Sequence, residues 1–143
     1  MIEEIVARLG SNTGLKSVKG AVDFANIMDS GFNVPFEQRP AAFVMMLNET
    51  PVESNELTTG GGTAQVVTQS IEIIFCVGNA ASAGKSVAKD AIKTVRDAVL
   101  NRLLAWSPDG LGVFFYGGLG LLPFRARAVW FRMIFSRHIG VSG

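Results

Sequence analysis

Residues Gly78–Ser86 read GNAASAGKS, and Gly84-Lys85-Ser86 is the chemistry-bearing end of a phosphate-binding loop. In such a loop a glycine, four further residues and Gly-Lys-Ser/Thr wrap successive backbone N–H groups round a phosphate. Here the spacing fails. The position five before Gly84 is Asn79, and the available glycine, Gly78, stands one residue further back. One extra residue turns the N–H donors out of register. A working site also needs a carboxylate at the end of a neighbouring strand to organise magnesium. The later apolar stretches GVFFYGG and AVWFRMIFSRH contain no acid, and AFVMMLNE precedes the loop, the reverse of the usual order. The stretch reads as a helix-starting turn with Ser82 as its cap. A small nucleotide-binding enzyme using Gly78–Ser86 is the catalytic alternative.

Other reactive side chains are sparse. The single histidine, His138, lies five residues from the C-terminus among basic neighbours, where nothing would orient it as a general base. With one histidine and one cysteine, a zinc site of the usual His/Cys type cannot be assembled within one chain. Glu3-Glu4 and Glu53/Glu56 are carboxylate pairs on a helix tip and in a polar segment, without the burial that tunes a general acid. Cys76 stands in an apolar run, where a free thiol acts as a small hydrophobe and a reducing compartment fits. No catalytic, cofactor or metal site is expected, and the reading is a scaffold rather than an enzyme.

The 143 residues, 48 % of them apolar, suffice for one domain, 1–143, with a real core. The net charge of +1 gives no global basic field of the kind that nucleic-acid binders use. The charge is nevertheless uneven. Residues 1–62 hold eight acids and four bases, a balance of −4, whereas residues 63–143 hold four acids and nine bases, a balance of +5. A split of this size also arises by chance in a short chain; the alternative is a molecule with two unlike faces, suited to head-to-tail association. The acidic, amphipathic MIEEIVARLG is neither a signal nor a transit peptide. No run reaches the roughly 18 apolar residues of a membrane helix, so a soluble protein is expected.

The pattern along the chain supplies the elements that must position these residues. Ile2, Ile5, Val6 and Leu9 recur at helical spacing and Gly10 closes that helix. GLKSVKGAV suggests a short strand, VDFANIMDSG a second helix ending at Gly31, and NVPFEQRP an extended loop. AAFVMML is apolar on both faces, as a central strand covered on both sides would be. The polar NETPVESNELTTGGGT reads as a mobile loop over about 49–63. Ala64–Val77 is a strand with Val67, Ile71, Ile73, Phe75 and Val77 on one face and Thr68, Ser70 and Glu72 on the other. A long amphipathic helix is expected from about Ala83 to Trp106, with Lys85, Lys89, Lys93 and Arg96 as a basic ridge opposite its apolar stripe. After the WSPDG turn, LGVFFYGG and RARAVWFRMIFSRHI read as an antiparallel pair. In the second of these Val129, Phe131, Met133 and Phe135 share one face, and Trp130, Arg132, Ile134 and His138 share the other. That second face could be a partner-binding stripe or could lie beneath a helix. The fold class expected is α+β, a mostly antiparallel sheet of about four to five strands with the long helix and shorter helices packed on it.

The order of these parts resembles the tail terminator, or tail-completion, proteins of long-tailed bacteriophages. The resemblance spans nearly the whole chain. It rests on the pairing of PAAFVMML with VTQSIEIIFCVGN and on the helix end LLAWSPDG, followed by FYGGLGLL and AVWFRMIFSRH. It implies a structural virion protein, without enzymatic activity or cofactor, made in the bacterial cytoplasm. It also implies a hexameric ring on the head-proximal end of the tail tube, which stops tube growth and offers a surface to head-completion or connector proteins. No membrane and no nucleic-acid sequence recognition enter this picture. Another phage neck protein of similar architecture is the nearest alternative. On this reading Glu53, Asn55, Glu56 and Leu57, the helix ridge with Lys85 and Lys89, and the stripe with Trp130 and Arg132 meet neighbouring subunits or the tube.

Overall fold

The computed structural model describes the backbone of residues 1–59, 62–78 and 85–142, and the side chains within those ranges except at 53–59, 62–64, 85–88 and 142. Five strands form one sheet in the order β1-β2-β3-β5-β4, where β1 is Ser17–Lys19, β2 Ala41–Thr59, β3 Gly62–Val77, β4 Phe115–Leu121 and β5 Val129–Ser142. Only the β1–β2 pair is parallel; the other three pairs are antiparallel. With helices α1 (Ile2–Leu9), α2 (Ala21–Asp29) and α3 (Lys85–Leu103), the fold is the expected α+β arrangement.

Strand alternation sorts the side chains of the sheet into two cores. Ala42 and Val44 of β2, Ile71, Ile73, Phe75 and Val77 of β3, and Val129, Phe131, Met133 and Phe135 of β5 are buried beneath α1 and α3. Phe75 and Phe131 stack there with ring centroids 4.7 Å apart. From the helices come Ile5 and Leu9 of α1 and Val95, Val99 and Leu103 of α3, the apolar stripes that their sequences announce. On the opposite face Phe43, Ile74, Cys76 and Trp130 are covered by Phe24 of α2 and by Phe32 just beyond it.

The expected loop over 49–63 is not what the backbone forms. Residues 49–59 continue β2 and pair with β3 from Glu49↔Gln69 to Thr59↔Gly62, with irregularities between Met46 and Asn48 and between Pro51 and Glu56. A polar composition suggests a loop only if strands are assumed to have a buried face. From Met46 to Pro51 the side chains are exposed on both faces of β2, so polar residues serve there as well as apolar ones. Pro51 is tolerated because β1 pairs only with Ala41–Phe43, which leaves β2 an edge strand further along. Gly60 and Gly61 lie outside the described residues.

Helix α3 stops at Leu103, before the expected Trp106. Ala105 takes a positive φ of 58°, its N–H donates to the Phe114 carbonyl, and the Phe114 N–H donates to the Trp106 carbonyl. These bonds to a distant residue capture the chain before another helical turn can form. The turn that follows comes very close to β5: a Cβ on Gly112 would sit 2.5 Å from the His138 carbonyl oxygen. Gly112→Ala is therefore expected to destabilise the fold by about 1–3 kcal/mol, seen as a lowered melting temperature, whereas Gly140→Ala, which meets nothing within 4 Å, should be mild by comparison.

Candidate assembly surfaces

The residues singled out from sequence separate into three groups. Lys89 is exposed on α3, beside Asp90, Lys93 and Arg96. Arg132 is half-exposed and donates to Glu72 across the sheet at 3.1 Å. Both present charge to the outside. Glu53, Asn55, Glu56 and Leu57 have their backbone in β2, and Lys85 is the first residue of α3, but the side chains of all five lie outside the described residues. So do residues 79–84, including Ser82 and most of the GNAASAGKS stretch.

Trp130 is a correction. It was expected on a partner-binding stripe, yet it is only 2 % exposed. Phe32 packs edge-on against it at 5.6 Å, and its indole N–H donates to the Arg125 carbonyl at 3.0 Å. The alternation of β5 is as read, but α2 and the segment after it cover this end of the face. Further along the same face the covering ends: Ser70 and Ser136 hydrogen-bond at 2.9 Å, and exposed His138 meets Thr68 at 3.1 Å and the ring of Phe115 at 5.3 Å.

Two buried arginines escaped sequence reading. Arg137 is 1 % exposed on the helix side of β5. Its guanidinium donates twice to Asp109, at 2.6 and 2.8 Å, and its Nε–H donates to Gln69 Oε1 at 3.0 Å. Gln69 in turn donates to Glu49 at 2.9 Å, so one chain of polar contacts links the WSPDG turn to β5, β3 and β2. A signal was available: Arg137 falls in step with Val129, Phe131, Met133 and Phe135, the apolar set. Arg39, 8 % exposed, donates among the described residues to the carbonyls of Val34, Gly78, Ala126 and Arg127, and so ties three loop ends together. Nothing local in its sequence marks those acceptors.

Hydrogen bonds from Arg137 hold the Asp109 carboxyl well below the usual carboxylate range, with the Leu111 N–H assisting. The folded-state value lies below the unfolded one, so this stabilisation is fully present above the unfolded value and is lost as pH falls toward the folded one. Stability should therefore decline with acidification below about pH 4, and denaturation of Asp109→Asn across the same range should show a shallower dependence. Burial pushes the Cys76 thiol up to about 11, so at neutral pH it is an inert member of the core.

Among the described residues no three of His, Cys, Asp and Glu come together as a metal site, and no helix is long and apolar enough to cross a membrane. What the molecule offers instead is sheet edges, charged ridges and an apolar hollow between α2 and residues 122–125. A family model described as phage tail terminator protein matches residues 1–139. The chain belongs to the phage tail terminator family. No curated protein matches this terminator chain. Among solved structures it is similar to a chain from the virion of a native gene transfer agent particle, at 14 % identity and a TM-score of 0.45 over 96 % of this chain and 84 % of that one. Tail terminators are structural proteins of the virion.

Proposed function

We propose that this chain is the subunit of a hexameric ring that caps the head-proximal end of the tail tube, stops its polymerisation and offers the joining surface for a head-completion or connector protein. The observation that carries the reading is the family match over residues 1–139. The uneven charge supports it. The acidic part of the sequence, 1–62, builds α1, β1, α2 and β2, while the basic part, 63–143, builds β3, α3, β4 and β5. In the sheet, β1 and β2 from the acidic part lie on one side of β3, and β5 and β4 from the basic part lie on the other. Copies arranged head to tail bring unlike sides together, and a closed ring is the finite form of that arrangement.

On this reading the ring assembles in the bacterial cytoplasm and is retained in the tail or neck of the virion. Glu53, Asn55, Glu56 and Leu57 of β2, Lys85 and Lys89 of α3, and Arg132 meet neighbouring subunits or the tube; Trp130 is withdrawn from that set. Reversing both charges, Glu53→Lys with Glu56→Lys, is expected to weaken assembly while leaving the monomer's melting temperature unchanged. Sedimentation beside thermal denaturation checks both halves. Assembly at the wild-type concentration dependence would contradict the assignment of these residues.

A further inference from the structure

The sheet has two open edges of different character. Among the described residues β1 pairs with β2 only at Ala41–Phe43, so β2 beyond Phe43 has β3 on one side and no described strand on the other. At the far side β4 pairs with β5 and is the last strand. Among the described residues, neither Val44–Thr59 nor Phe115–Leu121 makes a backbone hydrogen bond outside its own ladder. Open edges are templates for strand addition, and proteins guard those that must not pair indiscriminately. The β2 edge is guarded, with Glu49, Pro51, Glu53 and Glu56 along it; β4, FYGGLGL, has neither charge nor proline.

The surroundings of β4 are basic. Lys89, Lys93 and Arg96 of α3 line a hollow with Asp90, Ile92 and Leu119, three bases to one acid, and the Arg96 guanidinium lies 5.9 Å from the Tyr116 ring centroid. Asp97 takes up part of that charge through Lys93, at 2.7 Å. By register, Tyr116 and Leu119 of β4 and Glu49 of β2 occupy the same helix-bearing face of the sheet, since they pair with Phe135, Met133 and Gln69.

We infer that the ring closes by strand addition, the β4 edge of one copy pairing with the β2 edge of the next, with the acids of β2 against Lys89, Lys93 and Arg96. The inference rests on the ring reading above and specifies how it closes. Strand direction agrees: β2, β3, β5 and β4 alternate, so β4 runs opposite to β2 and a copy rotated about a ring axis presents an antiparallel partner. Charge chooses among the possible pairings. Joining β4 to β4 would bring two basic ridges together and joining β2 to β2 would bring two sets of acids together, whereas β4 to β2 joins unlike charges.

Native mass spectrometry together with amide hydrogen exchange, from low to high protein concentration, tests this. The expected result is that exchange slows in residues 45–51 and in residues 116–121 together, as the oligomer forms. Glu49→Lys and Lys89→Glu should each raise the concentration at the association midpoint by about tenfold, and the double swap should recover much of that loss. An oligomer whose protection falls over the hollow between α2 and residues 122–125, with both edges unchanged, overturns the strand-addition inference and leaves the ring. A two-fold dimer protected only in β4 overturns the charge argument and the inference with it. A monomer at every concentration, with both edges exchanging freely, overturns the inference; whether the ring itself survives is then read from capping of tube ends.

Discussion

Trp130→Ala is expected to destabilise the isolated subunit by about 3–5 kcal/mol, the range for truncating a large buried aromatic. The indole is almost wholly removed from solvent, with Phe32 against its edge and its N–H satisfied by the Arg125 carbonyl. Truncation leaves a void under α2 and frees that carbonyl. The measurement is chemical denaturation at concentrations where the chain is monomeric. An interface anchor would behave in the opposite way: the monomer would keep its stability and only association would suffer. Wild-type monomer stability in Trp130→Ala would mean that the covering by Phe24 and Phe32 is not what holds this face. Trp130→Phe, which keeps the ring packing and loses the N–H, should cost clearly less.

Asp109→Ala is expected to cost about 3 kcal/mol, the lower end of the range for a stranded buried charge. The reason lies in its partner. The Arg137 side chain is 2 % exposed and has Asp109 as its carboxylate, while the Asp109 side chain is 32 % exposed and can be hydrated when alone. Removing the acid therefore strands a guanidinium against Phe114 and Gln69, whereas removing the base leaves a carboxylate within reach of water. Arg137→Met should be the milder change, because methionine fills much of the same space without a charge. Equilibrium unfolding of the two variants decides it. Equal losses, or a larger loss in Arg137→Met, would show that packing of the long side chain rather than the stranded charge sets the cost.

These effects show what kind of information was local and what was not. The two faces of β3 and β5 were legible because alternation of Ile71, Ile73, Phe75 and Val77, and of Val129, Phe131, Met133 and Phe135, is a property of neighbours in sequence. Helix α1 was legible for the same reason, through Ile2, Ile5, Val6 and Leu9. Whether Trp130 is covered depends on where α2 lands, a contact across about a hundred residues, and periodicity carries no such information. The end of α3 depends on hydrogen bonds between Ala105, Trp106 and Phe114, which a helical pattern continued to Trp106 could not reveal. The continuation of β2 beyond Asn48 is not legible because polar residues such as Glu49 and Thr50, exposed in the strand, suit a loop equally well. Arg137 was legible in principle, since its parity places it among apolar residues and a charge there demands a partner; Arg39, served by scattered carbonyls, was not. The proposed assembly surfaces rest on an imbalance of charge along the chain, which the strand order divides between the two halves of the sheet.

The most direct test of the proposed function is to polymerise the cognate tail tube protein with increasing amounts of this chain and to measure tube length and tube ends by electron microscopy. The expected result is tubes that shorten as the chain is added, each with a ring on one end only. Tubes of unchanged length with bare ends, in the presence of folded protein, would contradict it.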